Sequence, residues 1–457
     1  MNTLANIVEY IFSFEPYVVL PLLIFLMAIL FKIPVSRAFK SALTIGVGFI
    51  GIFIILGYFV ENIGPAVEAL INRTSLEYSV LEVGWPPLAA IAWSFNLAPV
   101  FIIVIILINV IMLAMKMTKT VNVDIWNYWH FILVGKMVYY STNNLFYVSI
   151  AVIFLNIITL KLADWSALRV KELSGLEGIS ITTISGVTYY PFAIWLDKFL
   201  DRFKYLKELD VDPEYLKNKL GIFGEPMIIG FFLGILLGIG AAYDIRGILE
   251  LAFSIAAVIY ILPLMAGVLG KGLMSVSDGM KDFIKRKYPD SKDLYIGLDL
   301  AVLLGNSSII VTGILLMPVA LILAFLIPGV NFIPLADLST IIAAVSMVVV
   351  AVKGNILKSF IIFIPIMIGK LLVASRLAFM YSNLTLEANI EFPGYDGLIT
   401  GFLDGGNLLR YWTFELFNFS LWAILLIPVI VFFIWYSRRE SKLDQLAITD
   451  SSRNISN

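Results

Sequence analysis

The polar side chains of this chain are few enough to take one at a time. His130, its single histidine, stands in VNVDIWNYWHFI, with Asp124 and Asn127 ahead of it and Trp126, Tyr128 and Trp129 around it. Asn127 and His130 are three apart and share one face of a helix. Hydrogen-bonding groups set among aromatic rings can grip a polyol, the rings covering C–H faces while the polar groups take the hydroxyls. The same pattern also describes an interfacial aromatic belt around a satisfied histidine. Glu82 and Trp85 in LEVGWPPLAAIAWSF repeat the combination. Asp299, in YIGLDLAVLLGNSSIIVTG, precedes a glycine break and then Asn306, Ser307 and Ser308, a set suited to offering acceptors to hydroxyls. Glu177 opens LEGISITTISGVTYYP, where Thr182, Thr183, Ser185 and Thr188 are too polar for a lipid-facing helix and fit a cavity-lining hairpin. Glu225 in GIFGEP is either a buried acceptor or a carboxylate complementing the positive end of a helix. Asp404-Gly405-Gly406-Asn407 has the composition of a turn.

Other chemistries are excluded by what is missing. With no cysteine there are no disulfides, thiolate zinc sites or cysteine nucleophiles, and one histidine cannot build a multi-histidine metal site. No GxxxxGK[ST] phosphate loop and no nucleophile elbow occurs, so no metal or cofactor is expected and no residue is assigned a covalent role. A net charge of −1 supplies no basic field for nucleic acid.

The elements that position these residues follow from composition. Of 457 residues, 60% are hydrophobic and 14% charged, against about a quarter charged in soluble domains. The solvent for most of the chain is lipid. A helix needs about 20 apolar residues to cross hydrocarbon, and eleven stretches qualify: 16–32, 41–60, 96–115, 124–140, 144–162, 226–242, 248–270, 308–328, 337–352, 356–378 and 415–436. Three shorter apolar stretches, 84–95, 176–197 and 296–307, read as re-entrant hairpins or broken helices. Lys and Arg concentrate in alternate connections, whereas the opposite set holds only Arg73, Arg246, Arg376 and Arg410. This bias places the amino terminus outside and the carboxyl terminus in the cytoplasm of a bacterial inner membrane. Met1 to Glu15 lacks a basic n-region and a cleavage site, so no removable signal is expected. The charged stretch 198–220 reads as an amphipathic cytoplasmic helix, and the polar tail after Arg439 as disordered.

The two halves echo one another. FSFEP (12–16) matches IFGEP (222–226), and IPVSRAFKSALTIGVGFIGI (33–52) matches YDIRGILELAFSIAAVIYIL (243–262). LAPV (97–100) matches LMPV (316–319), and ILVGKMV (132–138) matches IMIGKLL (366–372). An odd number of spans separates the two starts, which inverts the second copy; substrates of such transporters bind where the inverted halves face each other. The expected plan is therefore an all-α polytopic membrane protein: two inverted five-helix repeats, a final helix, and re-entrant hairpins. The first repeat covers 1–172 and the re-entrant segment with its linker 173–221. The second repeat covers 222–380, the terminal loop and last helix 381–440, and the tail 441–457.

These stretches resemble the galactitol-type IIC permeases of the bacterial phosphotransferase system, in the ascorbate–galactitol superfamily. The resemblance spans roughly residues 8–440 and rests on EVGWPP (82–87), MTKTVNVDIWNYWH (117–130), LEGI (176–179), FGEP (223–226), AYDIRG (242–247), IGLDLAVLLG (296–305), Lys353-Gly354-Asn355 and Asp404-Gly405-Gly406. It implies a subunit that binds a sugar alcohol and delivers it to a cytoplasmic IIB protein bearing phosphocysteine, itself charged by IIA. It also implies a homodimer with an elevator motion. The absence of cysteine here agrees with a phosphoryl carrier on another chain. The binding residues expected are His130, Asp299, Asn306, Glu82, Trp85, Asp124, Asn127, Glu177, Thr183 and Glu225. Galactitol members read roughly LEGIAIPHG and LLLGH where this chain has Thr183 and Asn306 in place of histidine. A second reading keeps the scaffold but couples transport to ions, with Asp299 or Glu225 as the proton or sodium site.

Overall fold

The computed structural model describes residues 16–72, 79–209, 211–220, 222, 225–287, 294–334, 336–338, 340–390, 392 and 397–456. Helix α1 (Pro16–Leu30) turns sharply at Lys32, whose φ is 57°, into the long α2 (Val35–Asn72). Strand β1 (Val80–Glu82) leads to α3 (Pro86–Trp93) and α4 (Ala98–Ala114), which meet at 94°. Prolines at both helix starts fit this joint, since a proline in a first turn has no intrahelical amide hydrogen bond to lose. Next come β2 (Thr120–Asn122), a 3-10 turn at Ile125–Tyr128, α5 (Trp129–Thr142) and α6 (Leu145–Ser174). Asn144 caps α6 by accepting from the Phe146 amide, and Gly175 closes it in a left-handed conformation. The first half ends with β3 (Ile179–Ile181), α7 (Ile184–Val187) and α8 (Tyr190–Leu200).

Two short helices, α9 (Lys204–Glu208) and α10 (Pro213–Leu220), stand where one amphipathic helix was expected. Asn355 donates to the Leu209 carbonyl, the Ile356 amide to that of Val211, and Lys358 pairs with Asp197 and Asp201. The linker is thus tied to the second half, and Pro213 ends any continuous helix between them.

The second half opens with α11 (Pro226–Gly240) and α12 (Ile245–Lys287), with Ala242 at φ 56° in the intervening turn. Strand β4 (Tyr295–Leu298), a 3-10 turn at Leu300–Leu303 and α13 (Ser307–Leu326) come next. Helices α14 (Ile341–Ala351) and α15 (Ile356–Glu387) lead to strand β5 (Leu398–Thr400), α16 (Leu408–Phe417), α17 (Leu421–Leu425) and α18 (Ile427–Ser456). The strands pair across the halves, β1 parallel to β5 and β4 parallel to both β3 and β2. The five short strands inside a helical fold have one cause. Each begins a break in a helix, and broken backbone away from water must find partners; the breaks supply one another's.

Among the described residues, four helices are long and apolar enough to cross a membrane: Leu145–Ser174, Ser307–Leu326, Ile356–Glu387 and Leu421–Leu446, with α3 and α4 together making a possible bent fifth. The fold is a helical, multi-pass membrane protein. Apolar stretches expected at 41–60 and 248–270 are the middles of α2 and α12, of 38 and 43 residues. The stretch 124–140 begins as the 3-10 turn and ends in α5. Of the stretches read as re-entrant or broken, 84–95 holds the short helix α3, 176–197 holds β3, α7 and most of α8, and 296–307 holds most of β4 and a 3-10 turn. Glu15 and the FSFEP match lie partly outside the described residues. The tail is not disordered where described: α18 continues to Ser456, with Glu440 and Ser441 buried. Arg169 explains it. That buried guanidinium caps the end of α14 at the Ala351 carbonyl and pairs with Asp444 at 2.7 Å, drawing the polar helix onto the body.

Candidate functional site

The broken tips converge on one cavity of about 170 Å³. The segment after β2 contributes Asp124, Trp126, Asn127, Trp129 and His130; the β3–α7 tip adds Thr183 and Ser185; the β4 tip adds Asp299, Leu300 and Ala301. Trp85, Leu403, Asp404, Phe49 of α2 and the start of α14 complete the wall. Six of the ten residues expected from sequence are therefore brought together: Asp124, Asn127, His130, Thr183, Asp299 and Trp85.

Four of them form one hydrogen-bonded group. Asn127 donates through its side-chain amide to Asp124 Oδ2 at 2.7 Å and also to Asp299 Oδ2. Thr183 donates to Asp299 Oδ2 at 3.1 Å, and the Ala301 amide donates to Asp299 Oδ1 at 2.7 Å. Asp124 is only 1% exposed, yet its Oδ1 has no hydrogen-bond partner among the described residues. A buried acceptor of this kind costs about 1–3 kcal/mol when left unsatisfied. Aromatic rings also line the cavity, with Trp85 stacked on Trp129 at 6.3 Å and Trp129 on His130 at 3.8 Å. Tyr128 turns away, its hydroxyl donating to the Asn122 carbonyl.

His130 belongs to a closed ring of hydrogen bonds. Arg410 donates to His130 Nδ1 at 2.8 Å, which puts the ring proton on Nε2, 3.3 Å from Ser185 Oγ. Ser185 donates to Asp404 Oδ1, and Arg410 returns to the Asp404 carbonyl. Lys370, wholly buried, donates to the Leu403 carbonyl and stands 4.5 Å from the Tyr189 ring. Sequence reasoning placed Arg410 in an external connection and gave Asp404 only turn character. Arg410 instead lies 1% exposed in α16, because its charge is matched inside the protein rather than by water. The signal for this was the run Asp404-Gly405-Gly406. A Cβ on Gly406 would sit 2.2 Å from the Lys370 carbonyl, so only glycine lets this turn pack against α15.

The other expected residues stand elsewhere. Glu82 accepts four backbone amides, from Gly84, Phe402, Ala336 and Asp337, and so joins the β1, β5 and 336–338 tips. Asp337 beside it accepts from the Trp85 and Leu403 amides. Gly84, at φ 73°, makes the turn that aims its amide at Glu82. Asn306 caps α13, accepting from Ser308 and Ile309 and donating to the Leu173 carbonyl. Glu177 is exposed and pairs with Lys171. Glu225 is the residue before α11. None of these four lines the cavity.

Broken helices that gather buried polar side chains around a small cavity inside an apolar helical body are the plan of a membrane transport protein. Comparison with known families narrows the class: the chain belongs to the EIIC-GAT family, the sugar-specific permease components of the phosphotransferase system (PTS), whose model matches residues 10–396. It is the membrane translocation subunit of such a system. The chain is 32% identical over 437 residues to the "Putative permease IIC component" of Escherichia coli (strain K12), covering 96% of this chain and 100% of that protein. It is 30% identical over 414 residues to the PTS system galactitol-specific EIIC component of the same strain, covering 91% of each chain. The galactitol-specific EIIC component of Escherichia coli O157:H7 matches to the same extent.

Proposed function

We propose that the substrate is a galactitol-like sugar alcohol, held in the cavity by Asp124, Asn127, Thr183, Asp299 and His130 against Trp85 and Trp129. The observation carrying this reading is the unpartnered Asp124 Oδ1, buried in the cavity wall beside Asp299, with stacked indoles lining the same cavity. A polyol offers donors to carboxylates along one edge and C–H groups to rings on its face. The galactitol-specific relatives support the same substrate class. Asp404 and Ser185 join the site as a second acceptor group. Glu82, Asn306, Glu177 and Glu225 have other work in this reading.

The substrate is then released as a phosphate ester after transfer from a IIB phosphocysteine, with IIA upstream. An inverted repeat supports the transport cycle, drawn wider than its sequence boundaries: the first unit takes in β3 to α8, and the second takes in β5 and α16. Reciprocal strand pairing supports this, since the first strand of each unit pairs with the last strand of the other. Helices α1, α2, α11 and α12 pack together and give the cavity only Phe49, which suits a dimerisation scaffold with the remainder moving as an elevator. The amino terminus outside and carboxyl terminus inside complete the arrangement.

The test is transport into vesicles containing the purified chain, with labelled galactitol outside and phosphorylated IIB and IIA within. Sugar phosphate should accumulate only with the partners. Unmodified sugar accumulating under a proton gradient would replace this reading by ion-coupled transport. Asp299→Asn should abolish binding in a chain that still folds, and wild-type binding there removes Asp299 from the site.

A further inference from the structure

A second cavity, of about 480 Å³, lies apart from the sugar site between α8, α15, α16 and the α17–α18 segment. Its walls are almost wholly apolar, with Trp412, Phe433 and Leu409 among them. It opens past Pro365, Trp422 and Leu426, all of them exposed. Only 11% of the most apolar window in Leu421–Leu446 is buried inside the protein, so this helical segment faces hydrocarbon along most of its surface. A groove open to hydrocarbon and lacking polar partners does not hold water. It takes an alkyl chain.

The rest of the occupant is set by charge. Ile430 and Ile434 of α18 line the groove, and the next residue on that stripe, one turn on, is exposed Arg438. Trp435 and Tyr436 precede it, and Arg439 lies 5.9 Å from the Trp435 ring. Aromatic residues followed by arginines mark the depth at which a spanning helix leaves hydrocarbon for headgroups. The groove therefore ends where a phosphate would be, beside a cation facing that level. We propose that it binds one anionic phospholipid, with an acyl chain in the groove and the phosphate on Arg438. The occupant is lipid rather than sugar, and the site is independent of the transport cavity.

Native mass spectrometry of the full chain released from nanodiscs of equimolar phosphatidylglycerol and phosphatidylcholine tests this. The wild type should retain one phosphatidylglycerol in preference. Ile430→Trp, which fills the groove, should lose it. Arg438→Ala changes only an exposed side chain and should lower the preference for phosphatidylglycerol about fivefold, the effect of one basic residue at the membrane surface. Retention by Ile430→Trp overturns the groove. An unchanged preference in Arg438→Ala, or equal retention of both lipids by the wild type, overturns the phosphate site.

Discussion

Asp124→Asn separates binding from folding more cleanly than any other change in the cavity. In the folded chain Asp124 uses one oxygen, accepting from Asn127, and its other oxygen has no partner. An amide can still accept from Asn127, so the fold loses little and a close carboxylate neighbour of Asp299 becomes neutral. The ligand meets an amide N–H where it had an acceptor oxygen, and a lost hydrogen bond costs about 0.5–1.5 kcal/mol, up to about tenfold in affinity. The proper contrast is Asp337→Asn. Both Asp337 oxygens accept backbone amides, so an amide nitrogen there faces a donor and strands it, at about 1–3 kcal/mol of stability. Equilibrium binding of labelled sugar alcohol and thermal melting of both variants in detergent make the measurement. Asp124→Asn should bind up to about tenfold more weakly and melt like wild type, whereas Asp337→Asn should melt lower. Unchanged affinity in Asp124→Asn, or equal losses of stability in the two, would refute the division between ligand acceptor and structural acceptor.

Trp85→Ala removes one of the stacked indoles and should weaken sugar binding by roughly tenfold, the scale of an aromatic contact of about 1–1.5 kcal/mol, as read by the same titration. Arg410→Ala leaves Asp404 and His130 facing each other without their common donor. Breaking such a buried pair costs about 3–5 kcal/mol, so folded yield in membranes should collapse, and Asp404→Asn in the same chain should recover part of it. Arg169→Ala frees α18 from the Ala351 carbonyl and Asp444. Limited proteolysis should then cut within residues 440–450 several-fold faster while sugar binding stays at the wild-type level.

The polar residues among apolar neighbours were legible because lipid penalises them wherever they lack a use. Asp124, Asn127, His130, Thr183 and Asp299 were singled out from sequence and meet in space. Trp85 joined them for the same reason. Asn306 and Glu177 have the same local look, but a cap and a surface ion pair satisfy them, and such partners are not visible along the chain. Asp404 and Arg410 were underrated because their partners are His130 and Ser185, more than two hundred residues away. Counting spans was limited by the breaks. A strand-and-turn tip satisfies its backbone only through a partner tip in the other half, so hydropathy alone cannot distinguish it from a short helix.

The reciprocal carboxylate pairs bear on how relatives of this protein could diverge. Glu82 and Asp337 bond almost entirely to backbone, so their duty is indifferent to neighbouring side-chain identity but intolerant of their own replacement. Asp124 and Asp299 are held largely by the buried side chains of Asn127 and Thr183, so that joint changes whenever those neighbours change. On the proposed binding role of the second pair, a shift in substrate preference would run through the few side chains that organise it, while the first pair keeps the architecture.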